Sequence, residues 1–119
     1  MIKISDKDLD WEVPTHEDPK NPGAFKKVIV GREDVDPKSK LMMVNLARVL
    51  VGRIHPEHKH PTMEEIFYFL EGEGEIVLDG RASKVTSGDR IIVRAGTLHE
   101  IRNTGKKELK FIGFGIALD

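Results

Sequence analysis

From Phe25 to its end the chain is cut into nine short apolar segments, each about the length of a β-strand. They fall at 26–30, 42–51, 54–60, 65–71, 75–78, 82–85, 89–94, 98–103 and 108–117, and Gly, Asp, Asn or Pro stands at most of the joints. Short strands at regular spacing with turn signals between them build an all-β sandwich or barrel. One joint fixes its own geometry: Glu75–Leu78 and Ala82–Val85 flank Asp79 and Gly80, a pair suited to the left-handed conformations of a type I′ hairpin turn. Segment 42–51 contains Leu, Met and Ala, which favour helix, but Val44, Val49, Val51 and the strand-rich surroundings predict a strand. The last segment, Phe111–Leu118, is apolar on both faces, which predicts the core on one side and a partner subunit on the other. Residues 1–24 are polar and broken by Pro14, Pro19, Pro22 and Gly23. They read as an N-terminal arm with one short strand around Ile2–Ile4, ahead of a single barrel domain over 25–119.

Composition removes several function classes. Nineteen basic residues against twenty acidic ones leave a net charge of -1, so nothing favours nucleic acid. No apolar run is long enough to span a bilayer, and the start lacks the apolar stretch of a secretion signal, so a cytoplasmic location is expected. Cysteine is absent, which excludes both a disulfide framework and a thiolate metal site. Gln is absent too, Asn occurs three times, and both signs of charge are abundant, a composition that leans toward a thermostable protein.

The chemistry-bearing residues are histidines and one glutamate. Residues two apart on a strand share a face, so His58 and His60 project together while charged Lys59 turns to water. Glu65 shares a face with Phe67 and Phe69, and a carboxylate among phenylalanines needs a compensating partner, which a metal ion would supply. His99, Ile101 and Asn103 alternate with Glu100 and Arg102, placing His99 inward as well. Any one of these alone reads as an ordinary core histidine or a surface glutamate. Together, parity brings His58, His60, Glu65 and His99 to one interior, a set of three imidazoles and a carboxylate suited to Mn, Fe, Ni, Co, Cu or Zn. His55 has the opposite parity in a regular strand, but Pro56 can break that regularity, leaving a supporting or acid/base role open. His16, in the arm, is expected to be exposed. Arg94 shares parity with Arg90, opposite inward Ile91 and Val93, and reads as solvated, with contact to an anionic substrate as the alternative.

The same residues resemble the two motifs of the cupin superfamily. Gly52, His58, His60, Glu65 and Gly72 meet every spacing of the first motif; Gly88, Gly96, His99 and Asn103 meet those of the second, with Arg94 where the family usually has Pro. The resemblance implies a double-stranded β-helix (a jelly-roll β-barrel) that holds one divalent transition metal per chain on His58, His60, Glu65 and His99. It implies tight turns at Gly52, Gly72, Gly88 and Gly96 and a structural hydrogen-bonding role for Asn103. A small-molecule pocket is expected against Phe67, Phe69, Val93 and Ile101, and a homodimer formed through the arm and the C-terminal strand. A dioxygenase or decarboxylase of a small oxygen-rich acid or enediol is the leading expectation. The alternatives are a sugar or sugar-phosphate isomerase, for which Arg94 and Arg48 are the available cations, and a non-enzymatic binding or sensing module.

Overall fold

A computed structural model describes residues 2–119. Nine strands form two antiparallel sheets that together make a double-stranded β-helix: β1 (Ala24–Val30), β2 (Leu41–Val49), β3 (Ile54–His58), β4 (Met63–Glu71), β5 (Glu73–Leu78), β6 (Arg81–Thr86), β7 (Arg90–Val93), β8 (His99–Asn103) and β9 (Leu109–Ala117). One sheet runs β1-β2-β9-β4-β7 and the other β3-β8-β5-β6. All nine expected segments are strands, including 42–51, whose branched and apolar side chains lie against neighbours in a sheet rather than along a helix face.

The β5–β6 hairpin turns on Asp79 (φ 47°) and Gly80 (φ 81°), both left-handed as a type I′ turn requires. Asp79 also pins the turn to the start of the neighbouring strand β8. Its N–H donates to the Leu98 carbonyl at 2.8 Å and its Oδ1 accepts the Leu98 N–H at 2.9 Å, which anchors the chain immediately before His99. Gly52, Gly72, Gly88 and Gly96 all have positive φ. At Gly72 the need is double: φ is +89°, and a Cβ there would lie 2.6 Å from the Glu108 carbonyl oxygen.

Inward positions of both sheets pack one core, built on Val49, Phe69, Ile76, Ile101, Leu109 and Phe111. Asn103 closes it: Nδ2 donates to the Val49 and Lys107 carbonyls, each at 2.9 Å, and Oδ1 accepts the Gly105 N–H. The opposite face of the larger sheet is also apolar. Val30, Val44, Phe114, Ile66 and Ile92 pair in register as one row across all five strands.

The arm differs from expectation. Ile2–Ile4 form no strand; the arm instead joins the larger sheet through a single bridge, Glu12 to Lys26, and Trp11 lies against the cations of Lys27 and Arg48. No helix among the described residues is long and apolar enough to cross a membrane.

Candidate metal centre

Three chain segments meet at the mouth of the barrel. On β4 the inward residues run Phe69, Phe67, Glu65, from packed core to polar site, and Glu65 remains buried. His99 opens β8 and is 1% exposed. His58 closes β3 opposite His99, while His60 lies just past the strand end, held by its carbonyl, which accepts the Gly96 N–H at 2.8 Å. The ligand atoms of His58, His60, Glu65 and His99 all lie within 4.8 Å of one another.

Backbone carbonyls select the imidazole tautomers. The Pro56 carbonyl accepts from His58 Nδ1 at 2.8 Å and the Thr97 carbonyl from His99 Nδ1 at 3.0 Å. A carbonyl only accepts, so in the neutral rings Nδ1 carries the proton and Nε2 is left with its lone pair. Glu65 Oε1 lies 3.1 Å from His60 Nε2 and 3.2 Å from His99 Nε2. Both Glu65 Oε1 and His99 Nε2 are buried, and neither makes an aligned hydrogen bond. Two buried acceptors facing each other without a proton between them are costly unless a cation sits there, so these residues fit a metal ion.

The ionisation states agree. Burial drives the His58 ring down to about 3; the Pro56 carbonyl favours the charged ring but does not offset this, and His99, His55 and His16 add to the fall. Burial pushes the Glu65 carboxyl up, but the His60 and His99 rings, when protonated at Nε2, outweigh it and hold the group down at about 2. At neutral pH the cluster therefore offers a neutral His58 ring and an ionised carboxylate, the forms that bind metals.

A bulge decides the place of His55. His55 pairs with Ile101 and His58 with His99, so three steps on β3 match two on β8 and both histidines face inward. The extra residue falls at Pro56–Glu57, where proline has no N–H to give the ladder. His55 Nδ1 lies 2.6 Å from Glu17 Oε2, and Glu17 is a buried residue of the arm. His16 beside it stays largely exposed, yet its ring stacks on His58 at 3.9 Å between centroids. Burial there, with His55, His60 and His99 nearby, lowers its pKa.

The resulting cavity is about 170 Å³, bounded by the arm, β1, β2, β9, His55, His58, His60 and the β4 residues Glu65 and Phe67. Phe67 lines it, whereas Phe69, Val93 and Ile101 do not: they are sealed in the core at 0–3% exposure. Alternation fixes the face a residue takes, not its position around the barrel, and the cavity lies toward β1 and β2 under the arm. Arg94 is outside it, 81% exposed and 3.9 Å from Glu64. Arg48 lies over Trp11 and Phe25, also away from the site. Sequence reasoning missed Lys26 and Asn45 of the lining. The Oδ1 atom of Asn45 is buried without a hydrogen-bond partner.

The family model for the cupin domain matches residues 45–115. The chain belongs to the cupin family. This cupin is 35% identical over 86 residues to the "Oxalate-binding protein" of Thermotoga maritima, a match covering 67% of this chain and 71% of that one. It is 44% identical over 66 residues to an uncharacterized protein of Methanocaldococcus jannaschii, covering 56% of this chain and 53%, about half, of that relative. A crystal structure of a "predicted oxalate decarboxylase" from Thermotoga maritima superposes with a TM-score of 0.84 at 24% identity, covering 98% of this chain and 99% of that one. At that identity the likeness speaks for the fold.

Proposed function

We propose that this cupin is a metal-dependent enzyme acting on a small organic acid or enediol, as a decarboxylase or dioxygenase. The observation that carries the reading is the pair of unpartnered acceptors, Glu65 Oε1 and His99 Nε2, in a buried cluster of three imidazoles and a carboxylate beside a small cavity. A divalent transition ion held by His58, His60, Glu65 and His99 would supply Lewis acidity or a route for electrons. The chain does the rest. The Pro56 and Thr97 carbonyls hold two rings in the ligating tautomer, Phe67 and Phe111 exclude water from one wall, and Lys26 places a cation along the lining that suits a carboxylate.

Size supports a small ligand. The cavity of about 170 Å³ is well below the roughly 300 Å³ at which pockets for drug-sized molecules begin. The oxalate-binding relative makes a short-chain acid the natural substrate class. The isomerase alternative is less well supported, because Arg94 and Arg48, the cations expected for it, are not in the lining and Lys26 alone would have to meet a sugar phosphate. The test is carbon dioxide release and oxygen uptake by metal-loaded protein with oxalate and glycolate. Turnover of either acid that disappears in a His58→Ala, His60→Ala double variant supports the enzyme. Tight binding without turnover would make it a binding module instead.

We also infer a homodimer. The row Val30, Val44, Phe114, Ile66, Ile92 gives the larger sheet an apolar outer face, continued by Tyr68 and Leu70 at 45% and 40% exposure. A second copy is the occupant that the doubly apolar strand β9 suits.

A further inference from the structure

Glu17 and His55 stand beside the ligand set without belonging to it. The Glu17 side chain is 2% exposed, and both of its oxygens are engaged: Oε1 accepts the Gly23 N–H at 2.6 Å and Oε2 lies 2.6 Å from His55 Nδ1. A carboxylate oxygen facing the ring accepts, so in the neutral ring the proton is on Nδ1 and Nε2 carries a lone pair. His55 lines the cavity, and with Nδ1 taken, Nε2 is the ring nitrogen left for a ligand.

We propose that the Glu17–His55 pair sets a fixed hydrogen-bond acceptor beside the metal centre, selecting small acids that carry a hydroxyl hydrogen next to their metal-binding oxygen, such as 2-hydroxy carboxylates or enediols. The inference rests on the function proposed above and narrows its substrate class. A hydroxyl donates to Nε2. A dicarboxylate ion brings only acceptors to that position and gains nothing from it. Glu17 acts through His55 and is a positioning residue.

The test uses full-length protein loaded with Co(II), whose visible absorption reports ligand entry, titrated with glycolate and with oxalate. His55→Phe should weaken glycolate about tenfold, the worth of one good hydrogen bond, and leave oxalate nearly unchanged. Glu17→Gln gives a sharper result. Its amide oxygen can still accept the Gly23 N–H while its NH₂ donates to Nδ1, which moves the ring proton to Nε2 and turns the acceptor into a donor. Glycolate should then weaken and oxalate tighten, an inversion that loosening of the fold would not produce. Variants that leave both affinities unchanged, or lower both alike, would overturn the inference alone. Loss of cobalt from either variant would do the same, since the effect would then lie in the metal site. A wild-type spectrum that answers neither acid would overturn the inference together with the function on which it rests.

Discussion

The Nε2 atom of His99 and the Oε1 atom of Glu65 lie 3.2 Å apart, sealed from solvent, with no aligned hydrogen bond on either. A protein keeps such a pair when something else satisfies both atoms. The purified protein is therefore expected to carry about one transition ion per chain by elemental analysis, lost in the His58→Ala, His60→Ala variant. Free ion at 100 times its Kd adds about 2.7 kcal/mol of stability. For a domain of this size, stripping it should lower Tm by on the order of 10 °C.

Glu65→Gln should act on both binding and folding. It keeps the side chain's shape and removes the charge that faces two imidazole nitrogens. Metal affinity should fall by more than the roughly 10–100-fold typical of losing a residue that only supports a ligand. Apo stability at neutral pH should fall, because the folded protein holds this carboxyl near 2 against an ordinary 4.5 and so favours the ionised form that glutamine lacks. Calorimetric metal titration and urea melts of the apo protein check the two halves separately.

Acid should destabilise the apo protein in two overlapping windows. The folded His58 ring is held near 3 against an ordinary 6.5, so the unfolded chain binds more protons between those values. The stability involved is present above pH 6.5 and lost as pH falls toward 3. Glu65, held near 2 against 4.5, contributes stability present above 4.5 and lost toward 2. Thermal melts from pH 8 down to 3 should show a Tm that declines below about 6.5, and His58→Phe should flatten the upper limb while leaving the lower one.

Two glycine substitutions should differ in cost. Gly52→Ala meets nothing within 4 Å and bears only the strain of φ +71°, about 1–2 kcal/mol. Gly72→Ala bears the same strain and also drives a Cβ against the Glu108 carbonyl oxygen, so it should lose at least about 1 kcal/mol more. Urea denaturation of the two variants measures the difference.

Light scattering should give twice the 13.4 kDa chain mass. Phe114→Glu, at the centre of the apolar row, should yield a monomer that keeps its metal. A wild-type monomer would sink the dimer.

Alternation made much of this legible. His99, Ile101 and Asn103 are buried while Glu100 and Arg102 are not, and Glu65, Phe67 and Phe69 share a buried face. What period-two reasoning cannot see is a change in the count. The bulge after His55 turned that residue inward, and His60 reaches the cluster from beyond the strand end. Parity also assigns a face without assigning a place on it, which is why Phe69, Val93 and Ile101 were expected in the pocket wall and lie in the core. Glu17 was out of reach for another reason: it meets His55 across 38 positions of sequence, and only the folded arm brings them together.

That arm divides the molecule's tasks along the chain. All four candidate metal ligands fall within residues 45–115, the span the family shares, whereas His16 and Glu17 lie ahead of it. The residues proposed to hold an ion and His55 itself thus sit in the shared span, whereas the carboxylate that orients His55 and the ring stacked on His58 come from a separate stretch. A lineage can replace the first two dozen residues and acquire a different diet of small acids while the barrel and its histidines stay as they are.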